Sequence, residues 1–300
     1  MYKSIFAILL AFAYSTSVWA WPDWVTQHQQ DSEYLVGVGV GDSRSAARQS
    51  AIADIVTQLS VDYRVEQTQM LTKRQGKADS QFTQVSQLKS LPFTLEGIEE
   101  LDFFQQDAEF ALLLGIKKSQ LIKSIQTDLA ILHHITSPAG DVERQFIWAL
   151  KQSETFLLST KKLSVLTLLA GEQPKIKQRL EQLLTKQKQA LQAVSCDVIG
   201  NSHYSLIKSA LNTALPHSGK TRLWMRPNLK WKFATKGKLA LAKARLTLKL
   251  MRSRPPFSVL IQHDIEAQAK GSSREVAKAK AIEKLLGQLS APASVWMFDT

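Results

Sequence analysis

Two stretches decide how this chain is organised: GDSRSAARQSAIADIVTQLS at residues 41–60 and GSSREVAKAKAIEKLLGQLS at residues 271–290. They align without gaps at an offset of 230, with nine identical positions: Gly41/Gly271, Ser43/Ser273, Arg44/Arg274, Ala47/Ala277, Ala51/Ala281, Ile52/Ile282, Gln58/Gln288, Leu59/Leu289 and Ser60/Ser290. Each follows an apolar, strand-like run. Asp42 and Ser43 suit the N-cap of a helix, and Ala47, Ala51, Ile55 and Leu59, four apart, make one apolar stripe. Any strand-to-helix turn selects Gly and Ser, and any sheet-packed helix selects Ala and Leu, so the match admits a shared architecture as well as a duplication. On either reading, each end of the chain carries a strand, a tight turn and a small-residue helix.

Working outward, Tyr34 to Val40 is expected as a strand and Ser43 to Leu59 as a helix. Val61 to Leu71, Gln81 to Phe93, Leu95 to Phe104 and Glu109 to Ile116 have the composition of strands, with Lys73 to Asp79 a polar loop containing Gly76. A helix from Ser119 to about His134 closes this region, and Ser137-Pro138-Ala139-Gly140 breaks it. The middle is helical, from Val142 to Ala170 and again from Pro174, a residue that commonly opens a helix. These two helices, joined by Gly171-Glu172-Gln173-Pro174, predict a hairpin arm. After a short helix at Tyr204 to Leu215, Ala242, Ala244, Leu246, Leu248 and Leu250 alternate with Lys243, Arg245, Thr247 and Lys249, the pattern of a strand with one wet face. Arg252 to Pro256 turns the chain into a second strand, Phe257 to Ala269. The expected fold class is α+β: two helix-on-antiparallel-sheet domains, 21–136 and 196–300, separated by a helical hairpin arm at 137–195.

The first twenty residues have the form of a signal peptide. Lys3 supplies the positive start, Ile5 to Tyr14 a short apolar run, and Val18-Trp19-Ala20 a small residue before cleavage between Ala20 and Trp21. The run is shorter than the roughly 20 apolar residues that span a bilayer. A periplasmic chain, peripheral at a membrane at most, is expected. Cys196 is the sole cysteine, so no disulfide within one chain can form and a packed core must hold the fold. Between Val194 and Val198, that cysteine is expected as a small buried hydrophobe. No cysteine lies near residue 20 to take a lipid.

Formal charge is +12, or +11 without Lys3, and it is unevenly placed. Val198 to His263 holds thirteen Lys and Arg and no Asp or Glu over 66 residues. A surface needing only solubility mixes signs, so this tract is expected to face an anionic partner. Lys230, Lys232, Lys243, Arg245, Lys249, Arg252 and Arg254 are its candidate residues, and Lys230-Trp231-Lys232-Phe233 alternates charge with ring. The plain alternative is a wet strand whose aromatics enter the core. Outside the cytosol, the available polyanions are lipid head groups, lipopolysaccharide and acidic proteins, with no nucleic acid.

Catalytic and cofactor motifs fail on spacing. Gly37-Val38-Gly39-Val40-Gly41 lies between a strand and a helix, yet a dinucleotide pattern needs a glycine at 42 or 44, where Asp42 and Arg44 stand, and no P-loop Lys-Ser/Thr follows. Glycines at every second position instead leave one sheet face bare for a helix, or for the Trp21 and Trp24 rings. His133 and His134 are adjacent and point apart, while His28, His203, His217 and His263 are isolated. No hydrolase elbow or zincin pattern occurs, and Glu99-Glu100 stands in an exposed strand region. No catalytic, cofactor-binding or metal-binding residues are expected.

Trp21-Pro22-Asp23-Trp24, then Tyr34-Leu35-Val36-Gly37-Val38-Gly39, the Ala-rich helix 43–59, the strand at Val61, and Leu95-Glu96-Gly97-Ile98 with Phe110-Ala111-Leu112 resemble the LPP-twenty lipoprotein family. The resemblance covers about residues 21–125. It implies a periplasmic or outer-membrane protein, and related domains occur in flagellar assembly protein T. The family's lipidated cysteine is absent here. The C-terminal half lies outside the resemblance, although its strand pair followed by Gly271-Ser272-Ser273 and a helix is similar in outline to curli-type and other envelope assembly domains.

The expected function is therefore a non-enzymatic envelope protein acting as a binding or assembly component through its sheet edges, arm and basic face. The alternatives are a peripheral binder of anionic lipid, lipopolysaccharide or glycan, a flagellar or other envelope-machine assembly factor, and an uncharacterised hydrolase.

Overall fold

The computed structural model describes residues 21–27, 31–71, 95–200, 205–237 and 239–298, with backbone alone at 60–71 and 236. The expected signal peptide with Ala20, the strand 81–93 and the loop 73–79 lie outside them. Two compact units divide the chain: residues 1–128 with 164–172, and residues 129–163 with 173–300.

In the first unit, α1 (Asp23–Thr26) precedes β1 (Tyr34–Gly41), α2 (Arg44–Leu71), β2 (Glu99–Gln106), β3 (Glu109–Lys117) and α3 (Lys118–Leu129). The sheet is antiparallel in the order β1-β3-β2. Helix α2 lies on β1 and β3 with Ala47, Ala51, Ile55, Val56 and Leu59 buried against Leu112, Leu114 and Ile116. Glycine makes this approach possible. A Cβ at Gly39 would overlap the Ala47 carbonyl oxygen and the Ala51 backbone, and one at Gly37 would overlap the Ala51 carbonyl. Helix, rather than tryptophan, therefore covers the glycine face. Trp21 and Trp24 pack on the opposite face, with Val36, Val38, Ala111 and Leu113, and Trp21 meets Phe104 at 5.6 Å between ring centroids.

Residues 61–71, expected as a strand, continue α2. Val61, Tyr63 and Val65 favour strands, but no Gly or Pro intervenes between Gly41 and Gly76, and extending an established helix needs no new nucleus. Strand β2 starts at Glu99 rather than Leu95, after Gly97 at φ +74°.

The second unit begins with α4 (Ile131–His134), α5 (Val142–Lys151) and α6 (Ser153–Ala170), of which residues 164–170 belong to the first unit. Helices expected as continuous are broken at Ala130 and Gln152. Asp141 caps α5 by accepting from the Glu143 N–H at 2.9 Å. Pro174 opens α7 (Pro174–Gln192), which packs on α5. Gln187 on α7 donates to the Ala149 carbonyl and to Ser153 Oγ, both at 2.9 Å, and Arg179 donates to the last carbonyls of the α4 turn, Leu132 and Ile135. With Phe146 and Leu150 in the sheet core and Leu180, Leu183 and Ala190 buried, the helices expected as an arm at 137–195 are shared between the two units rather than forming a third.

Then follow β4 (Val194–Val198), α8 (Ser205–Ala214), β5 (Thr221–Lys236), β6 (Leu239–Arg252), β7 (Val259–Gly271), α9 (Arg274–Leu289) and α10 (Ala293–Met297). The sheet order is β4-β5-β6-β7. Strand β4 is parallel to β5, joined to it through α8, so this sheet is mixed where an antiparallel one was expected.

The offset of 230 holds in space. Leu35, Gly37, Gly39 and Gly41 of β1 correspond to Ile265, Ala267, Ala269 and Gly271 of β7, all facing the helix that follows. Ser43 and Ser273 each accept an N–H three residues on, from Ala46 and Val276, at 3.2 Å. Gln58 Nε2 donates to the Val36 carbonyl at 2.8 Å, and Gln288 Nε2 to the Glu266 carbonyl at 3.4 Å, the same strand position. One turn earlier, Asp54 accepts the Val38 N–H at 3.0 Å and Lys284 donates to the Gln268 carbonyl at 2.9 Å. The first helical residues agree too: the Arg44 guanidinium lies 5.0 Å from the Phe103 ring centroid, and that of Arg274 lies 3.7 Å from Phe233. Phe103 and Phe233 both sit on the third strand, opposite Leu112 and Ala242, which pair in turn with Gly39 and Ala269.

A strand-to-helix turn demands none of these longer-range contacts. The two units hold one module, run as β1-α2-β2-β3 in the first and as β5-β6-β7-α9 in the second, a circular permutation. An L-residue fixes the hand relating side chain to carbonyl along a strand, so helix-averted residues with edge-facing carbonyls in both modules give them the same handedness.

This equivalence predicts unequal tolerance at matched sites. Gly39→Ala should destabilise by about 1–3 kcal/mol, since backbone atoms must yield. Ala269→Gly should cost only about 0.5–1 kcal/mol. Urea-denaturation midpoints of the two variants would show it, and equal losses would contradict the close-approach account.

Candidate anion-binding face

Alternation along β6 buries Ala242, Ala244, Leu246, Leu248 and Leu250 and turns Lys243, Arg245, Thr247 and Lys249 outward. Register then builds the outward face in rows across β5, β6 and β7: Arg226-Lys249-Gln262, Asn228-Thr247-Asp264, Lys230-Arg245-Glu266 and Lys232-Lys243-Gln268. Three of these rows put two cations directly opposite each other, where side chains stand about 4.5–5.5 Å apart at Cβ and like charges destabilise the pair.

The acid-free tract is not acid-free in space. Asp264 and Glu266 lie just beyond its sequence limit and return beside it on β7. Lys243 Nζ meets Glu266 at 2.6 Å, and Arg245 Nε meets Glu266 at 3.1 Å and Asp264 at 3.5 Å. The hydrogen bond from Lys243 is the main reason the Glu266 carboxyl is held below the ordinary carboxylate value of 4.5, with desolvation opposing it. Among the described residues, no carboxylate pairs with Arg226, Lys230, Lys232 or Lys249.

Of the seven candidate residues, Lys230, Lys232, Lys243, Arg245 and Lys249 share this face. Arg252 has the opposite parity and bonds Glu143 on α5 at 2.7 Å, so it is a structural tie to the helical layer instead. Arg254 is exposed in the connection between β6 and β7. Arg226 joins the face by register with Lys249, a partner that single-strand alternation cannot reveal. The rings of the Trp231-Phe233 motif enter the other side, stacked at 5.7 Å, with Arg274 over Phe233 and Lys278 over Trp231.

Other candidates have local occupations. A cleft of about 750 Å³ in the first unit is lined by Asp31, Tyr34, Val36, Val38, Asp54, Gln58, Leu168 and Leu169. Its Asp31, Asp54 and Gln58 are bonded to the β1 backbone at Tyr34, Val38 and Val36. N–H groups of Tyr34 and Glu33 hold the Asp31 carboxyl below its usual range. Glu99 accepts from the Tyr34 hydroxyl at 3.4 Å, while Glu100 pairs with Arg44 at 2.6 Å. His133 and His134 are exposed at the end of α4. Among the described residues, no three His, Cys, Asp or Glu side chains cluster at metal-holding distances, and no helix is long and apolar enough to cross a membrane. Cys196 is free and buried, its thiol pushed up to about 12 by burial first and by the charge of Asp197 second.

Residues 22–115 match the family model of the LPP20 lipoprotein, consistent with an N-terminal domain of that type. Among solved structures, the secreted protein HP1454 from Helicobacter pylori is 14% identical, with a TM-score of 0.40 over 89% of this chain and 100% of that one. A putative lipoprotein from Caulobacter crescentus CB15 is 10% identical, with a TM-score of 0.22 over 33% of this chain and 89% of the other. No curated protein matches.

A thiol held near 12 and fully enclosed is neither thiolate nor accessible at neutral pH. Cys196 should therefore resist alkylation by iodoacetamide at pH 8 in the native protein and react fully once unfolded in guanidinium. Prompt native-state labelling, followed by mass spectrometry, would contradict this.

Proposed function

We propose that this protein is a non-catalytic component of the cell envelope that binds an anionic partner through the outward face of its second sheet. The observation that carries this reading is the run of like-charge pairs Arg226-Lys249, Lys230-Arg245 and Lys232-Lys243. A sheet selected for stability alone would set opposite charges across from each other. Here Asp264 and Glu266 neutralise only one side, leaving Arg226, Lys230, Lys232 and Lys249 to an external anion.

The envelope setting is supported by the leader-like first twenty residues and by the LPP20 match. The non-catalytic part is supported by the first unit's cleft, whose acids are bonded to backbone N–H groups, and by a cysteine enclosed in the core. Binding through an open sheet edge gains no support at β1 and β7, since Gln58, Asp54, Gln288 and Lys284 occupy their outer backbone groups.

Soluble polyphosphate tests the electrostatic core of this reading. Exposed charges contribute about 0.5 kcal/mol each, so R226Q/K230Q/K249Q should weaken binding roughly tenfold and flatten its salt dependence. Glu266→Gln should act the opposite way, strengthening binding a few fold by releasing Lys243 and Arg245. Protonation does the same: Glu266 stays charged at neutral pH, and as pH falls below the ordinary 4.5 through its lowered value its grip on both cations is lost. Binding by the parent protein should rise there, and less so in Glu266→Gln. Unchanged affinity and salt slope in the triple variant would overturn the proposal.

A further inference from the structure

We infer that the anionic partner is a lipid bilayer, docked by the cations and by insertion of an aromatic pair, Trp224 and Phe257, at the end of the same face. This rests on the reading above and names its partner. One row beyond Arg226-Lys249, the outward positions change character: Trp224 stands opposite Met251, which stands opposite Val259, and the single carboxylate of this row, the half-buried Asp197, lies on the β4 side of Trp224. Phe257 comes from the β6–β7 connection to stack on Trp224, with centroids 5.6 Å apart and planes 7° from parallel. Phe257 is 53% exposed and Val259 47% exposed, although the sheet offers an apolar interior on its other face. Arg222 and Arg254 are exposed beside them, and Arg226 follows on β5.

Apolar side chains bordered by cations match the layering of a membrane surface. Aromatic rings favour the boundary between head groups and acyl chains, while Lys and Arg meet phosphate in the plane above it. From row 224 to row 232 the face extends roughly 26 Å at about 3.3 Å per residue, an extended surface able to lie along a plane of head groups. An acidic protein would satisfy the cations but give no reason for the exposure of the Phe257 ring.

The test is co-sedimentation of the leaderless chain with phosphatidylglycerol-rich vesicles, against pure phosphatidylcholine vesicles and against soluble polyphosphate. Binding is expected to the first vesicles and not to the second. Phe257→Ser, and separately Trp224→Ala, should each lower the affinity for phosphatidylglycerol roughly tenfold, as expected for losing one inserted ring, and leave polyphosphate binding unchanged. Phe257 is exposed enough that its loss leaves the core intact, which circular dichroism would check alongside. R226Q/K230Q/K249Q should weaken both. Ring variants that bind vesicles like the parent, with the charge variant still impaired on polyphosphate, would overturn the bilayer and leave the anion-binding face standing, occupied by an acidic protein or a soluble polyanion. A charge variant that binds polyphosphate normally would remove the face itself. Equal binding to phosphatidylcholine, or none to either vesicle at low salt, would also overturn the inference.

Discussion

The close seating of a helix on the edge strand before it is the constraint on which both units depend. In the first unit it is so tight that only glycine fits at residues 37 and 39, because the opposing atoms are backbone. In the second, Ala267 and Ala269 leave room for one methyl each, and Gly271 keeps the turn tight, with a Cβ there only 2.5 Å from Ala277 N. Such proximity brings the helix side chains one and two turns further along over the strand's outer edge. Gln58 and Asp54, and Gln288 and Lys284, then bond the backbone groups that an edge strand leaves unpaired.

That gripping has a consequence for where recognition can occur. An open edge is a template for another chain's strand, and two of these edges are occupied by the module's own helices. The helical face of each sheet is occupied as well. In the first unit the remaining face takes Trp21 and Trp24. In the second, the corresponding face carries Lys, Arg, Thr and Asn on alternate residues and stays wet. Two copies of one module thus differ on the side away from the helix, where packing leaves composition free.

What was legible in the sequence follows from the range of the interactions that write it. The turn and stripe of residues 41–60, the alternation of β6 and the burial of Cys196 depend on neighbours within a few residues, and the structure places all three as expected. The helical state of 61–71 was hidden because Val61, Tyr63 and Val65 carry strand preference while continuity with the preceding turns decides the outcome. The parallel entry of β4, the Arg252-Glu143 tie and the carboxylates beside Lys243 and Arg245 depend on partners 109 residues away in one case and on register across strands in the others. A window of 66 acid-free residues is a statement about one dimension, and the sheet folds its neighbours into a second.

The face that remains is defined as much by what fails to compensate as by what is charged. Glu266 serves both Lys243 and Arg245, so cancelling the charge of β6 at that row leaves Lys230 and Lys232 on β5 uncancelled. Moving one more acid into the face, at Gln262 opposite Lys249 or at Asn228 between Arg226 and Lys230, would relieve the repulsion without disturbing a buried residue. Such a change is structurally undemanding, because these positions lie on the exposed side of a sheet whose core is complete without them. Repulsion that the fold could so readily remove, kept in three rows and ending in an exposed Phe257 stacked on Trp224, ties the cost of that face to what it meets outside the molecule.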